Sequence, residues 1–218
     1  MRGFHHESGA YRAELDAGER EVVASVVANV VELLGGELPE CGTAGAAGTG
    51  QPEAEGSAGT DAHGTPTWHL RTEPVPPPDD PAVHRLLPDA SRDDPAVAGE
   101  FRRLTEDDLR AAKLSRLGWL WSALQHEGPV VPEAQAPAVA ATLTDLRLVL
   151  ADRLGIRTDE DADRLLRTVG RRRRHGTDEV RAYLATVYDA LTWLQESLVQ
   201  AMLARGDLGP PGRVGPGD

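Results

Sequence analysis

The last long segment of the chain, residues 177–206, repeats leucine and valine at alternating spacings of four and three positions. The repeat consists of Val180, Leu184, Val187, Leu191, Leu194 and Leu198. This spacing returns to one side of an α-helix, so that side is apolar and has to be buried. Either a bundle within one chain or a helix pair between two chains would bury it. Because other segments are also amphipathic, we expect burial within one bundle.

Several further segments have helical patterns. Residues 16–36 begin with Asp16 and Glu19 in the arrangement of a capping box and end at two glycines. Helical spacing of apolar residues also predicts helices over 105–126, 136–156 and 158–170, the first of them starting at Thr105.

The five residues DDPAV occur twice, at 79–83 and at 93–97. Two aspartate pairs with His84 between them could form a metal site, a duplicated module or two helix starts. Aspartate followed by proline is the usual beginning of a helix, and carboxylates suit its positive end. Mg²⁺ or Ca²⁺ needs several oxygen ligands at one point, which two separate helix starts do not provide. We therefore interpret both copies as helix starts and expect no metal site.

The remaining segments complete the expected architecture. Residues 2–5 and 11–15 flank the turn-like ESGA and predict a β-hairpin. Residues 37–78 are rich in Gly, Ala, Thr and Pro without a hydrophobic period, which predicts a disordered insert, and 206–218 predict a disordered tail. The fold expected is mainly α: a single helical domain over 1–205, with a small N-terminal hairpin and the insert.

Charge and hydropathy narrow the class of protein. The formal net charge is −12, which disfavours direct binding to nucleic acid. The most apolar stretch, 22–34, is shorter than the roughly 20 residues that span a bilayer, and no secretory signal is present. We therefore expect a cytoplasmic protein without membrane contact. Lys113 is the only lysine and hence the one candidate for lysine modification.

The sequence contains no recognisable catalytic motif. It has no HExxH, no glycine-rich phosphate loop followed by lysine, and no GxSxG. The paired carboxylates stand at helix starts, where a raised pKa is not expected. We therefore expect no catalytic residues, no metal and no cofactor, and a protein that is not an enzyme.

Three features remain as candidates for function. Cys41 is the only thiol, either redox-active or an incidental exposed cysteine, and the acidic residues Glu37 and Glu40 nearby disfavour its thiolate. The basic cluster Arg171, Arg172, Arg173 and Arg174 is either a solvated helix end or a contact for an acidic partner. Trp193 is a candidate core or partner-facing residue.

Several stretches resemble one actinobacterial family. They are MRGF with LDAGE and VVELLGG (1–4, 15–36), RLLPDASRDDPAVAGEFRRLTEDDLRAAK (85–113), LTDLRLVLADRLGI (143–156) and VYDALTWLQESLVQAML (187–203). The family was long catalogued as a domain of unknown function and is associated with AosR-type oxidative-stress regulators, often encoded near the proteolytic adaptor ClpS. The resemblance implies a cytoplasmic helical protein that regulates transcription through contact with a stress sigma factor. The intramolecular disulfide of those regulators is impossible with one cysteine.

Three hypotheses follow. The first is a non-enzymatic regulator that contacts a sigma factor or another RNA polymerase component, with homodimerisation also open. The second is an accessory factor of Clp-dependent proteolysis, or an uncharacterised structural or interaction protein. The third is an unrecognised hydrolase or metal enzyme.

Overall fold

Helices make up most of the described chain, which comprises residues 1–38, 59–60, 66–67, 75–172 and 179–206 of this computed structural model. The strands are β1 (Arg2–Glu7), β2 (Ala10–Glu14), β3 (Gly59–Thr60), β4 (Pro66–Thr67) and β5 (Val130–Pro132). The helices are α1 (Ala17–Leu33), α2 (Pro81–Leu86), α3 (Pro95–Leu124), α4 (Ala136–Leu154), α5 (Asp159–Arg172) and α6 (Glu179–Arg205). The expected mainly α fold with an N-terminal hairpin is confirmed.

The hairpin is part of a three-stranded antiparallel sheet in the order β1-β2-β5. Ser8 and Gly9 both have positive φ, 51° and 80°, which suits a tight turn between twisted strands. Tyr11 of β2 pairs with Val131 of β5. The connector between α3 and α4 therefore supplies a third strand.

The sheet lies close against α6. A Cβ atom at Gly3 would be 2.6 Å from the Cβ of Ser197, so only glycine fits there. This approach brings the backbone N–H of Phe4 within 2.9 Å of the Ser197 hydroxyl, to which it donates. Phe4 itself is buried in the core. The first strand is thereby fixed to the last helix.

The apolar repeat of α6 is buried inside the chain, where α6 packs mainly against α4. Val187, Leu191, Leu194 and Leu198 are all buried, as is Met202 one turn further on. Val180, at the start of the repeat, is 75% exposed. Burial within one bundle is therefore confirmed for the greater part of the repeat.

Both DDPAV copies begin helices as predicted. The carboxylate of Asp80 accepts from the N–H of Ala82 at 2.8 Å. In the second copy, Asp94 Oδ1 accepts from the N–H groups of Ala96 and Val97 at 2.9 and 3.1 Å. Each aspartate satisfies N–H groups that the first helical turn leaves without partners.

The predicted helix start at Thr105 is wrong. Thr105 lies inside α3, a single helix of 30 residues, and its hydroxyl donates to the carbonyl of Phe101 at 2.9 Å. The one glycine between Pro95 and Thr105, Gly99, is buried within α3 and does not end the helix that begins at Pro95. The capping-like residues 105–108 are only an acidic stretch of a continuous helix.

Much of the predicted insert, 37–78, lies outside the described residues, as do Cys41 and residues 207–218 of the predicted tail. Within the insert, β3 and β4 pair antiparallel through Gly59 with Thr67 and Thr60 with Pro66.

Candidate protein-docking surface

A buried guanidinium holds the first half of α3 in place. The side chain of Arg102 is 5% exposed and contacts the carboxylate of Asp89 through Nη2. Its Nε lies 3.2 Å from Glu106 Oε2, and its Nη1 donates to the carbonyl of Val75 at 3.1 Å. Because the Arg102 side chain is buried, the side of α3 that carries it faces the protein interior.

These contacts belong to a longer row of charged side chains, which we call the ionic row. It consists of His84, Asp89, Arg102, Glu106 and Arg110. Arg110 Nη2 lies 2.7 Å from Glu106 Oε1, and Arg110 Nη1 donates to the carbonyl of Leu34 at 3.0 Å. At the other end, His84 Nε2 lies 2.9 Å from Asp89 Oδ2. The hydrogen bond with His84, helped by Arg102, holds the pKa of Asp89 below its ordinary value. The row ties α3 to the end of α1 and to α2.

The opposite side of α3 is apolar and exposed. Val97, Phe101 and Leu104 are 50%, 54% and 56% exposed. Their spacings of four and three place them on one side of the helix. We call these three residues the α3 apolar stripe. Since the ionic row faces the protein interior, the stripe presents a fixed surface to solvent.

An open cleft lies beside the α3 apolar stripe. It is shallow and open, with a cavity volume of about 30 Å³. Its apolar lining includes Leu87, Pro88, Phe101 and Leu109, and Arg102 contributes to its polar side. The cleft is therefore a shallow recess with room for only the end of one side chain, and it does not resemble an enclosed substrate pocket.

The charges exposed around the stripe are mainly negative. Glu100, Asp107 and Asp108 are exposed carboxylates on this half of α3. Arg103 is only 15% exposed in its side chain and donates through Nε to Glu100 at 3.0 Å. That hydrogen bond lowers the pKa of Glu100, which keeps it ionised. The surface thus combines an apolar centre with an acidic margin.

The structure does not gather the site residues chosen from the sequence. Trp193 is 43% exposed on α6, beside Gly3 of β1, whereas the stripe lies on α3. Arg171 and Arg172 end α5. Arg173, Arg174 and Cys41 lie outside the described residues. The stripe itself was missed, although apolar residues at 97, 101 and 104 were a visible signal.

A family model, the domain of unknown function DUF2017, matches residues 1–202. This chain is a DUF2017 protein. The match runs from β1 through most of α6, so the sheet, the bundle and α3 all belong to the family domain. A search of curated proteins and a search of solved structures each gave no match.

The described residues of this DUF2017 domain contain no group of three histidine, cysteine, aspartate or glutamate side chains suited to a metal ion. None of the described helices is long and apolar enough to cross a membrane.

The expectation that Lys113 is open to modification is wrong. Its side chain is buried, and its ammonium group is ion-paired with Asp145.

Proposed function

We propose that this DUF2017 protein is a non-enzymatic regulator that acts by binding another protein through the α3 apolar stripe. The observation that carries the proposal is the exposure of Val97, Phe101 and Leu104 together on one side of a fixed helix. Exposed apolar residues scattered singly are ordinary, whereas a contiguous group with a polar margin is typical of a protein-binding site.

The occupant proposed is a different protein and not a second copy of this chain. Two copies joined through the same surface would bring their Glu100, Asp107 and Asp108 carboxylates towards each other. Like charges brought together at an interface oppose association. A partner with basic residues would be attracted to these carboxylates, whereas a second copy would be repelled by them.

The partner proposed is a cytoplasmic transcription component, a sigma factor or a subunit of RNA polymerase. The support for this step is the resemblance of residues 85–113 and 187–203 to AosR-type oxidative-stress regulators. Since the chain has only Cys41, an intramolecular disulfide does not contribute to any response to oxidant. Such a response would depend on the partner or on intermolecular chemistry of that one thiol.

An affinity pull-down from the native cells, with and without peroxide, tests the proposal. The proteins compared are the tagged full-length chain, Phe101→Ser/Leu104→Ser, and the control Tyr183→Ser/Leu203→Ser. The control residues lie on α6 and are each 51% exposed, so the two double variants remove similar apolar surface. Circular dichroism establishes that all three proteins are folded.

The expected result is recovery of a sigma factor or RNA polymerase, enriched by peroxide, with the wild type and the control only. Equal recovery with Phe101→Ser/Leu104→Ser would overturn docking on α3. Recovery of Clp components without transcription proteins would overturn the transcription role and favour an accessory role in proteolysis.

A further inference from the structure

We infer that the partner presents to α3 an amphipathic helix flanked by lysine or arginine, with the end of one apolar side chain in the shallow cleft beside Phe101. This inference rests on the proposed function, because it specifies what occupies the same surface. It adds the partner's local structure, its charge and its main anchor point.

The shape of the surface favours a helix. The α3 apolar stripe runs from Val97 to Leu104, about 10 Å along the helix, and Leu109 on the cleft side extends the apolar surface to about 18 Å. A second helix laid alongside matches this length with two to three turns and satisfies its own backbone hydrogen bonds. An extended segment would need a strand edge to pair with, and α3 offers none.

The cleft provides the anchor point. It lies between the chain at Leu87–Pro88 and the α3 residues Phe101 and Leu109, so its walls are apolar. Binding energy at interfaces concentrates where the end of an apolar side chain fits such a recess and excludes water. Phe101 belongs to the stripe and also lines the cleft. It is therefore expected to contribute more to the binding free energy than Val97 or Leu104.

The charges favour a basic partner. Glu100, Asp107 and Asp108 are exposed carboxylates, whereas Arg102 and Arg110 are turned inward to Val75 and Leu34. Arg103 is ion-paired with Glu100 and offsets one of these three negative charges, so the margin keeps a net negative charge. Lysine or arginine beside the partner's apolar residues would meet these carboxylates at the margin of the contact. Residues 39–74 of this chain carry five acidic residues and one arginine, so the net charge of that segment does not suit this surface.

Two synthetic peptides serve as probes, each of about 20 residues to allow helix formation. They share leucines at positions i, i+3, i+4 and i+7 and carry either lysine or glutamate on the remaining positions. Fluorescence anisotropy of a labelled peptide measures the dissociation constant with the full-length protein. The lysine peptide is expected to bind at least about tenfold more tightly than the glutamate peptide.

Variants then locate the binding site. Phe101→Ser/Leu104→Ser is expected to weaken binding of the lysine peptide at least about tenfold. Asp107→Lys/Asp108→Lys is expected to reverse the preference between the two peptides. The control Asp189→Lys/Glu196→Lys makes the same change of charge at exposed positions of α6 and should keep the preference for lysine. An equal effect of both charge variants would show attraction to the whole acidic protein and would overturn the inference.

The pull-down separates failure of this inference from failure of the proposed function. If Phe101→Ser/Leu104→Ser loses the partner but Asp107→Lys/Asp108→Lys retains it, docking on α3 stands and the basic helix is wrong. If neither variant loses the partner, both are wrong. A wild-type dimer in light scattering that Phe101→Ser/Leu104→Ser dissociates would identify a second copy as the occupant and overturn both.

Discussion

The ammonium group of Lys113 on α3 lies 2.7 Å from Oδ1 of Asp145 on α4, and both side chains are at most 10% exposed. Arg116 lies further from the same carboxylate, with its Nη2 3.9 Å from Oδ2. Two opposite charges withdrawn from water depend on each other, because either one alone would remain buried and uncompensated. The only lysine of the chain thus joins two helices of the bundle.

Lys113→Met should lower the free energy of unfolding by about 3 kcal/mol, because Asp145 then lacks its close partner. Lys113→Met/Asp145→Leu should regain most of that loss, since an apolar pair replaces the ionic one. Urea unfolding followed by circular dichroism measures these two variants and the single variant Asp145→Leu. If the double variant is as unstable as the sum of the two single variants, the two side chains are not coupled.

Lys113 should resist amine-reactive reagents while the protein is folded. Its ammonium group is nearly inaccessible and engaged with Asp145, whereas unfolding in urea exposes it. Peptide mass spectrometry after brief labelling compares Lys113 with the amino group of Met1 under both conditions. Equal labelling rates at Lys113 with and without urea would contradict the buried ion pair.

Asp80→Asn should lower stability at neutral pH by less than about 1 kcal/mol, with the difference disappearing in acid. The hydrogen bond from Arg153, 2.6 Å from Asp80 Oδ2, holds the pKa of Asp80 below its ordinary value. A lowered folded-state pKa stabilises the protein above the unfolded pKa of about 4 and loses this effect as pH falls further. Asparagine also caps helices, so the variant isolates the effect of charge.

Urea unfolding between about pH 7 and about pH 3 measures this difference. Asp79→Asn is the control, because Asp79 is the exposed neighbour in the same DDPAV copy. A difference between wild type and Asp80→Asn that stays constant with pH would mean that the Asp80 charge does not stabilise the fold.

Gly3→Ala should destabilise the protein by about 1–3 kcal/mol, because the new methyl group overlaps Ser197 and separates β1 from α6. Gly18→Ala is a matched control near the start of α1, where the new Cβ would lie 3.5 Å from its nearest neighbour. Alanine suits a helix better than glycine, so the control should be neutral or slightly stabilising. Thermal unfolding of the two variants compares them directly, and similar melting temperatures would contradict the close contact.

Local patterns predicted the helices well, because helix burial depends on regularly spaced apolar residues. Residues 136–156 were expected to be helical, and α4 covers Ala136–Leu154, ending at Gly155 with φ of 72°. The two aspartate caps were equally predictable, because a cap acts within three residues of itself. The hairpin turn at Ser8 and Gly9 is also a local feature.

Contacts between distant residues were not predictable in this way. The third strand, β5, is only three residues long and forms because β2 lies beside it. The ionic row needs Asp89 and Arg102 brought together, and no spacing within one segment indicates that. The α3 apolar stripe was hidden by the supposed helix start at Thr105, which divided residues 97–104 from the helix they belong to.

Arg102 and Arg110 hold the two ends of the long connection between α1 and α2. Arg102 donates to the carbonyl of Val75, and Arg110 donates to the carbonyl of Leu34. The two arginines are about 12 Å apart along α3. The positions of Leu34, where the chain leaves the bundle, and of Val75, where it returns, are therefore set by α3 and not by the residues of the connection between them. Closing a longer connection costs little extra free energy. This position can therefore accept changes in length between homologues, or an inserted reporter domain, without rebuilding the core.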